Sequence, residues 1–104
     1  MNYWNEDLLG KPIGIKDSDA VLDFPVDWNP WLNDMGATYV SHTTTKTGSI
    51  VIESSTHLSG IITTILSGGI VGETASYTVR ITAIVGGVSQ RIDDRTFYIN
   101  IVNR

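Results

Sequence analysis

Arg80, Asp93, Asp94 and Arg95 are the residues of this chain whose types and spacing best suit a defined chemical role. The two acids and Arg95 stand at the start of the last apolar-alternating run, and Arg80 falls on the run before it. A guanidinium facing a carboxylate across two strands makes an ion pair, worth little where exposed and more where planar and shielded. The expected role of all four is structural. Asp17, Asp19, Asp23 and Asp27 offer the oxygen atoms that calcium takes, but no Asp-x-Asp-x-Asp-Gly loop accompanies them, so no metal site is expected. His42 and His57 lie among Thr and Ser with no Glu or second His at ligand spacing, and read as surface strand or turn residues. Gly48-Ser49 and Leu66-Ser67-Gly68-Gly69 do not form a nucleophile elbow, and no glycine loop opens a helix to cradle phosphate. The missing parts point away from an enzyme and from any cofactor.

These residues must be positioned by strands. From Tyr39 onward Thr, Val and Ile dominate, broken by Gly68-Gly69 and Gly86-Gly87, with no apolar 3.6-residue period long enough for a helix. Between Ala75 and Val85, Tyr77, Val79, Ile81, Ala83 and Val85 share one face, which is the pattern of a half-buried antiparallel strand. Gly86-Gly87-Val88-Ser89 supplies a turn, and Gln90 to Val102 returns with Phe97, Ile99 and Ile101 on one face. Ser49 to Glu53 and Ile61 to Leu66 predict two more strands, Tyr39 to Thr45 and Val21 to Trp28 two weaker ones. Pro25 marks the last as an edge or a bulge. Six or seven strands at this spacing predict an all-β, immunoglobulin-like two-sheet antiparallel sandwich.

The totals agree. A chain of 104 residues with 41% hydrophobic and 17% charged residues is sized and composed for one folded domain. A net charge of −4 gives little purchase on phosphate backbone, so nucleic acid is not an expected partner. Without cysteine the fold must stand on packing alone. An acidic N-terminus and the lack of an 18-residue apolar run predict neither signal peptide nor membrane span, hence synthesis in the cytoplasm. Residues 1–15 differ from the rest, with Gly10, Pro12 and Gly14 interrupting regular structure while Tyr3, Trp4, Leu8 and Leu9 offer apolar anchors among acids. They read as an N-terminal arm, and residues 16–104 as the sandwich. The arm either lies on its own domain or orders on a partner.

Two stretches carry resemblances. Gly72-Glu73-Thr74-Ala75-Ser76-Tyr77-Thr78-Val79 resembles the start of strand F in immunoglobulin-like and fibronectin type III domains. That resemblance implies a structural Tyr77 whose hydroxyl returns to nearby backbone as a tyrosine corner, while Val79 stands where antibodies have cysteine. More specifically, Lys16-Asp17-Ser18-Asp19, Leu22-Asp23-Phe24, Asp27-Trp28 and Trp31-Leu32, with Arg80-Ile81-Thr82 and Asp93-Asp94-Arg95 before the last strand, resemble a family of small tailed-bacteriophage and prophage virion proteins. The resemblance spans residues 16 to 102 and implies a non-enzymatic adaptor connecting tail or head-tail components to fibres or tailspikes. Its implied partners are other virion proteins, in a ring-like assembly on the particle.

Within the motif, Trp28 and Leu32 read as core and Trp31 as a loop residue, so Trp31 joins Tyr3, Trp4, Leu8 and Leu9 as an interface candidate. Two alternatives use the same fold. One is capsid decoration; the other is a carbohydrate or cell-surface binding module in which Trp31 and Tyr39 would stack on a sugar.

Overall fold

The computed structural model describes residues 5–6 and 12–103. Its elements are β1 (Asn5–Glu6), β2 (Pro12–Asp17), β3 (Leu22–Asp27), α1 (Asn29–Met35), β4 (Ala37–Thr47), β5 (Ile50–Leu58), β6 (Ile61–Gly68), β7 (Thr74–Val85) and β8 (Ser89–Val102). They form two layers, a five-stranded sheet in the order β1-β2-β8-β7-β4 and a three-stranded sheet in the order β3-β6-β5. The chain is an all-β sandwich. Among the described residues no helix is long and apolar enough to cross a membrane.

The core follows from period-2 alternation. Ala75, Tyr77, Val79, Ile81 and Ala83 of β7 are fully buried, and β8 adds Phe97, Ile99 and Ile101 from the same sheet. Phe24 and Val26 of β3, Ile50 of β5 and Ile62 and Leu66 of β6 meet them from the facing sheet. The Tyr77 ring lies on Phe97 at 5.3 Å between centroids, and burial pushes the phenol pKa up. Among the described residues β3 pairs with β6 alone, so Pro25 sits on an edge strand, where a missing N–H is tolerated.

Two elements depart from the sequence expectation. Residues 12–15, read as arm, carry most of β2, which runs parallel to β8 from Ile13 opposite Tyr98 to Asp17 opposite Val102. Pro12 stands at the first residue of that strand. At its inward position β2 buries Lys16, 1% exposed, whose ammonium donates to the carbonyls of Gly68 at 2.6 Å and Asp17 at 2.8 Å. Burial pulls the Lys16 pKa down, while the carboxylates of Asp17 and Asp19 pull it up. One lysine thus ties β2 to the facing sheet through β6.

Trp31, expected in a loop, lies on α1. Trp28 caps the helix, Pro30 occupies its first turn, and Gly36 ends it at φ 61°, donating its N–H to the Asn33 carbonyl at 3.1 Å. Seven residues give only two turns, too few for an apolar repeat to show.

Candidate functional site

Three clusters in the sandwich gather the polar and aromatic side chains singled out above or by the structure. The first lies on the outer face of the larger sheet. Arg80 of β7 stands opposite Asp94 of β8 and is bidentate to it, Nε to Oδ1 at 2.7 Å and Nη2 to Oδ2 at 2.9 Å. The pair holds the Asp94 carboxyl below its ordinary range and the Arg80 pKa above its own, hydrogen bonding being the larger cause in each. Both side chains are largely exposed, 59% and 44%, so water and salt weaken the pair. Beside it Thr43, Thr45 and Thr78 complete the lining of a depression of about 250 Å³, a polar groove walled by hydroxyls and one ion pair.

Asp93 does not join that pair. Strand alternation turns it to the inner side opposite Ile81, where it lies 3.8 Å from Arg95. Arg95 extends its guanidinium over the Trp28 ring, 4.3 Å from the centroid, and Trp31 meets the same indole edge-on at 5.6 Å. Trp28 is fully buried and Trp31 partly so. Tyr3, Trp4, Leu8 and Leu9 lie outside the described residues.

The third cluster was not legible as one in the sequence. A bulge at Val40 breaks the alternation of β4, so that Tyr39 and His42, three residues apart, both turn inward. The Tyr39 hydroxyl is 2.7 Å from His42 Nδ1, and His42 Nε2 is 3.2 Å from the Ser55 carbonyl and 3.1 Å from its hydroxyl. Ser55 also bonds Thr44 at 2.9 Å and the buried Thr64 at 3.1 Å. A Ser-His-Tyr relay has the outline of a nucleophile with its base. Here the serine hydroxyl is committed to two threonines between the sheets, and the network serves as a polar seam.

His57 completes the seam. Its ring stacks on Tyr39 at 3.6 Å, and its Nε2 accepts the Gly60 N–H at 2.9 Å. Gly60, at φ 82°, in turn accepts from the Trp28 N–H at 2.8 Å, which joins the β5–β6 turn to the start of α1. An Nε2 that accepts carries no proton, so the folded chain needs neutral His57. Burial, and then the His42 charge, hold its pKa below the ordinary 6.5. Because the folded pKa is depressed, the stability contribution is complete above about pH 6.5 and declines as pH falls through the folded value. The melting midpoint should therefore drop between about pH 7.5 and about pH 5, and His57→Gln, which can still accept from Gly60, should flatten that part of the slope. A midpoint with the same slope in both proteins would contradict this assignment.

Among the described residues no group of three or more His, Cys, Asp or Glu could hold a metal ion. Asp17 and Asp27 instead accept backbone N–H groups, of Asp19 and Asn29 respectively, each at 2.9 Å. The arrangement offers hydrogen-bonding and apolar contact surfaces on a rigid frame.

Comparison with known proteins finds one family, described as Gp77: Podophage GP4 fiber-tail adaptor protein gp77, which matches residues 16–100. No match was found among curated proteins or among solved structures. The matched span runs from the end of β2 through nearly all of β8 and so takes in both sheets, α1, the Arg80–Asp94 pair and the Trp28–Arg95 stack. The chain belongs to the fibre-tail adaptor family of podophages.

Proposed function

We propose that this domain sits on the phage tail as a non-enzymatic connector, one side held by tail or head-tail proteins and another by fibres or tailspikes. The observation that carries this reading is the family match over residues 16–100, which takes in α1, the smaller sheet and most of the larger one rather than one strand pair. Several copies arranged about the tail axis would touch through unlike surfaces, the contact type that closes a ring. Tyr3, Trp4, Leu8 and Leu9 of the arm, with Trp31, are the residues we propose for those contacts.

The carbohydrate-binding alternative needs a free aromatic platform. Tyr39 is stacked flat on His57 and its hydroxyl is engaged by His42, so one of the two aromatics proposed for a sugar is already occupied. Capsid decoration would use the same fold at another place on the particle.

The test is a phage lacking this gene, with the wild-type gene supplied or withheld in the host. Without the chain, particles should assemble a filled head but carry no fibres, and resupply should restore them. Fully fibred particles without the chain would overturn the adaptor role.

A further inference from the structure

We infer that the turn between β5 and β6 is a proton-operated latch: a proton on His57 releases the turn from the head of α1 while the rest of the sandwich stays folded. The inference does not depend on the adaptor role. Three contacts hold the turn closed. The buried Gly60 donates its N–H to His57 Nε2 at 2.9 Å and accepts the Trp28 N–H at 2.8 Å, and the Asn29 side-chain amide donates to the Ser59 carbonyl at 3.0 Å. The fit is close, since a Cβ on Gly60 would collide with that same Asn29 amide. Closure also holds Ser59 at φ 50°, a conformation that a residue with a side chain adopts at a cost, so opening the turn relieves strain.

A protonated imidazole donates from both nitrogens and accepts at neither. Nε2–H of His57 would then face the Gly60 N–H, donor against donor, and the bond that sets the turn is lost. His42 does not share this sensitivity. Its Nε2 lies 3.2 Å from the Ser55 carbonyl, which can only accept, so Nε2 carries the hydrogen and Nδ1 accepts from Tyr39. A proton added at Nδ1 is met by the Tyr39 oxygen, because a hydroxyl can turn from donor to acceptor.

No carboxylate acts on His57 to offset its charge. β6 carries no titratable residue, Asp27 of β3 and Asp34 of α1 are exposed, and Glu53 of β5 is bonded to Ser67. β4 contributes Tyr39, stacked on the ring, and His42, whose charge opposes a second one. The imidazolium is therefore relieved by leaving the seam, and the turn it holds goes with it. Release uncovers the main chain at the head of α1, the helix that carries Trp31, and frees the exposed Leu58 at the tip of the turn.

The experiment is amide NMR of the full chain and of its His57→Gln variant, titrated from about pH 7.5 to about pH 5. In the wild-type chain the Gly60 and Trp28 amides should shift together with one midpoint, the midpoint of the His57 ring. Their protection from hydrogen exchange should fall at least about tenfold across the titration, while Val79 and Ile99 in the larger sheet keep theirs. In His57→Gln, whose side-chain carbonyl can still accept from Gly60, both amides should stay put and protected. A Gly60 amide that titrates without Trp28 overturns the coupling to α1. The same titration of both amides in His57→Gln overturns His57 as the sensor, and an equal loss of protection at Val79 and Ile99 overturns the latch in favour of opening of the whole domain.

Discussion

Trp28→Ala should lower stability by about 3–5 kcal/mol, the range for deleting a buried aromatic. Against a total of roughly 5–15 kcal/mol for a domain, this should shift the melting midpoint down by roughly 15–30 °C. Trp28 is completely buried, its ring lies under Arg95 and against Trp31, and its backbone binds both Gly60 and Leu32. Alanine leaves a cavity at the point where β3, α1 and the β5–β6 turn converge, and that cavity strips Arg95 of the face it stacks on. Thermal unfolding followed by circular dichroism checks the value. Trp31→Ala is the internal comparison, since its side chain is only half-buried and its removal should cost distinctly less. Equal losses at the two positions would contradict the division of labour between core and surface tryptophan.

The second large effect is expected at Gly69. Its φ of 109° lies where side chains are strained, and an added Cβ would come within 2.8 Å of Ile101 Cδ1. Ile101 is 2% exposed and packed between the sheets, so it has little room to withdraw. Backbone strain of roughly 1–3 kcal/mol and overpacking of roughly 1–3 kcal/mol act together, so Gly69→Ala should cost about 2–6 kcal/mol. Gly72, whose Cβ would meet open space although its φ is 89°, isolates the backbone part of that cost when substituted in parallel. If Gly69→Ala unfolds no earlier than Gly72→Ala, the contact with Ile101 is not limiting.

Much of this architecture was legible in the chain. The alternation in β7 and β8 and the glycines between them defined a hairpin, and Pro25 marked an edge, because these signals are local. What escaped reading has physical causes. β2 hides because its inward residue is a lysine, which earns burial only through carbonyls of Gly68 and its own neighbour that a linear reading cannot supply. α1 hides in two turns. The seam of Tyr39, His42 and His57 hides behind one bulged residue, since strict alternation would send Tyr39 and His42 to opposite faces. In the charged run, residue types announced ion pairs, but only register separates Asp94, outside with Arg80, from Asp93, inside with Arg95.

The parallel pairing of β2 with β8 also determines how the domain meets a pulling force. Load applied between Pro12 and Val102 draws the two strands along their length in opposite directions, because they run the same way and are held at opposite ends. The bonds from Ile13–Tyr98 to Asp17–Val102 then resist together in shear, instead of opening one after another as in a hairpin pulled from its free ends. The Lys16 ammonium, pinned to Gly68 across the sandwich, acts as a dowel through that joint.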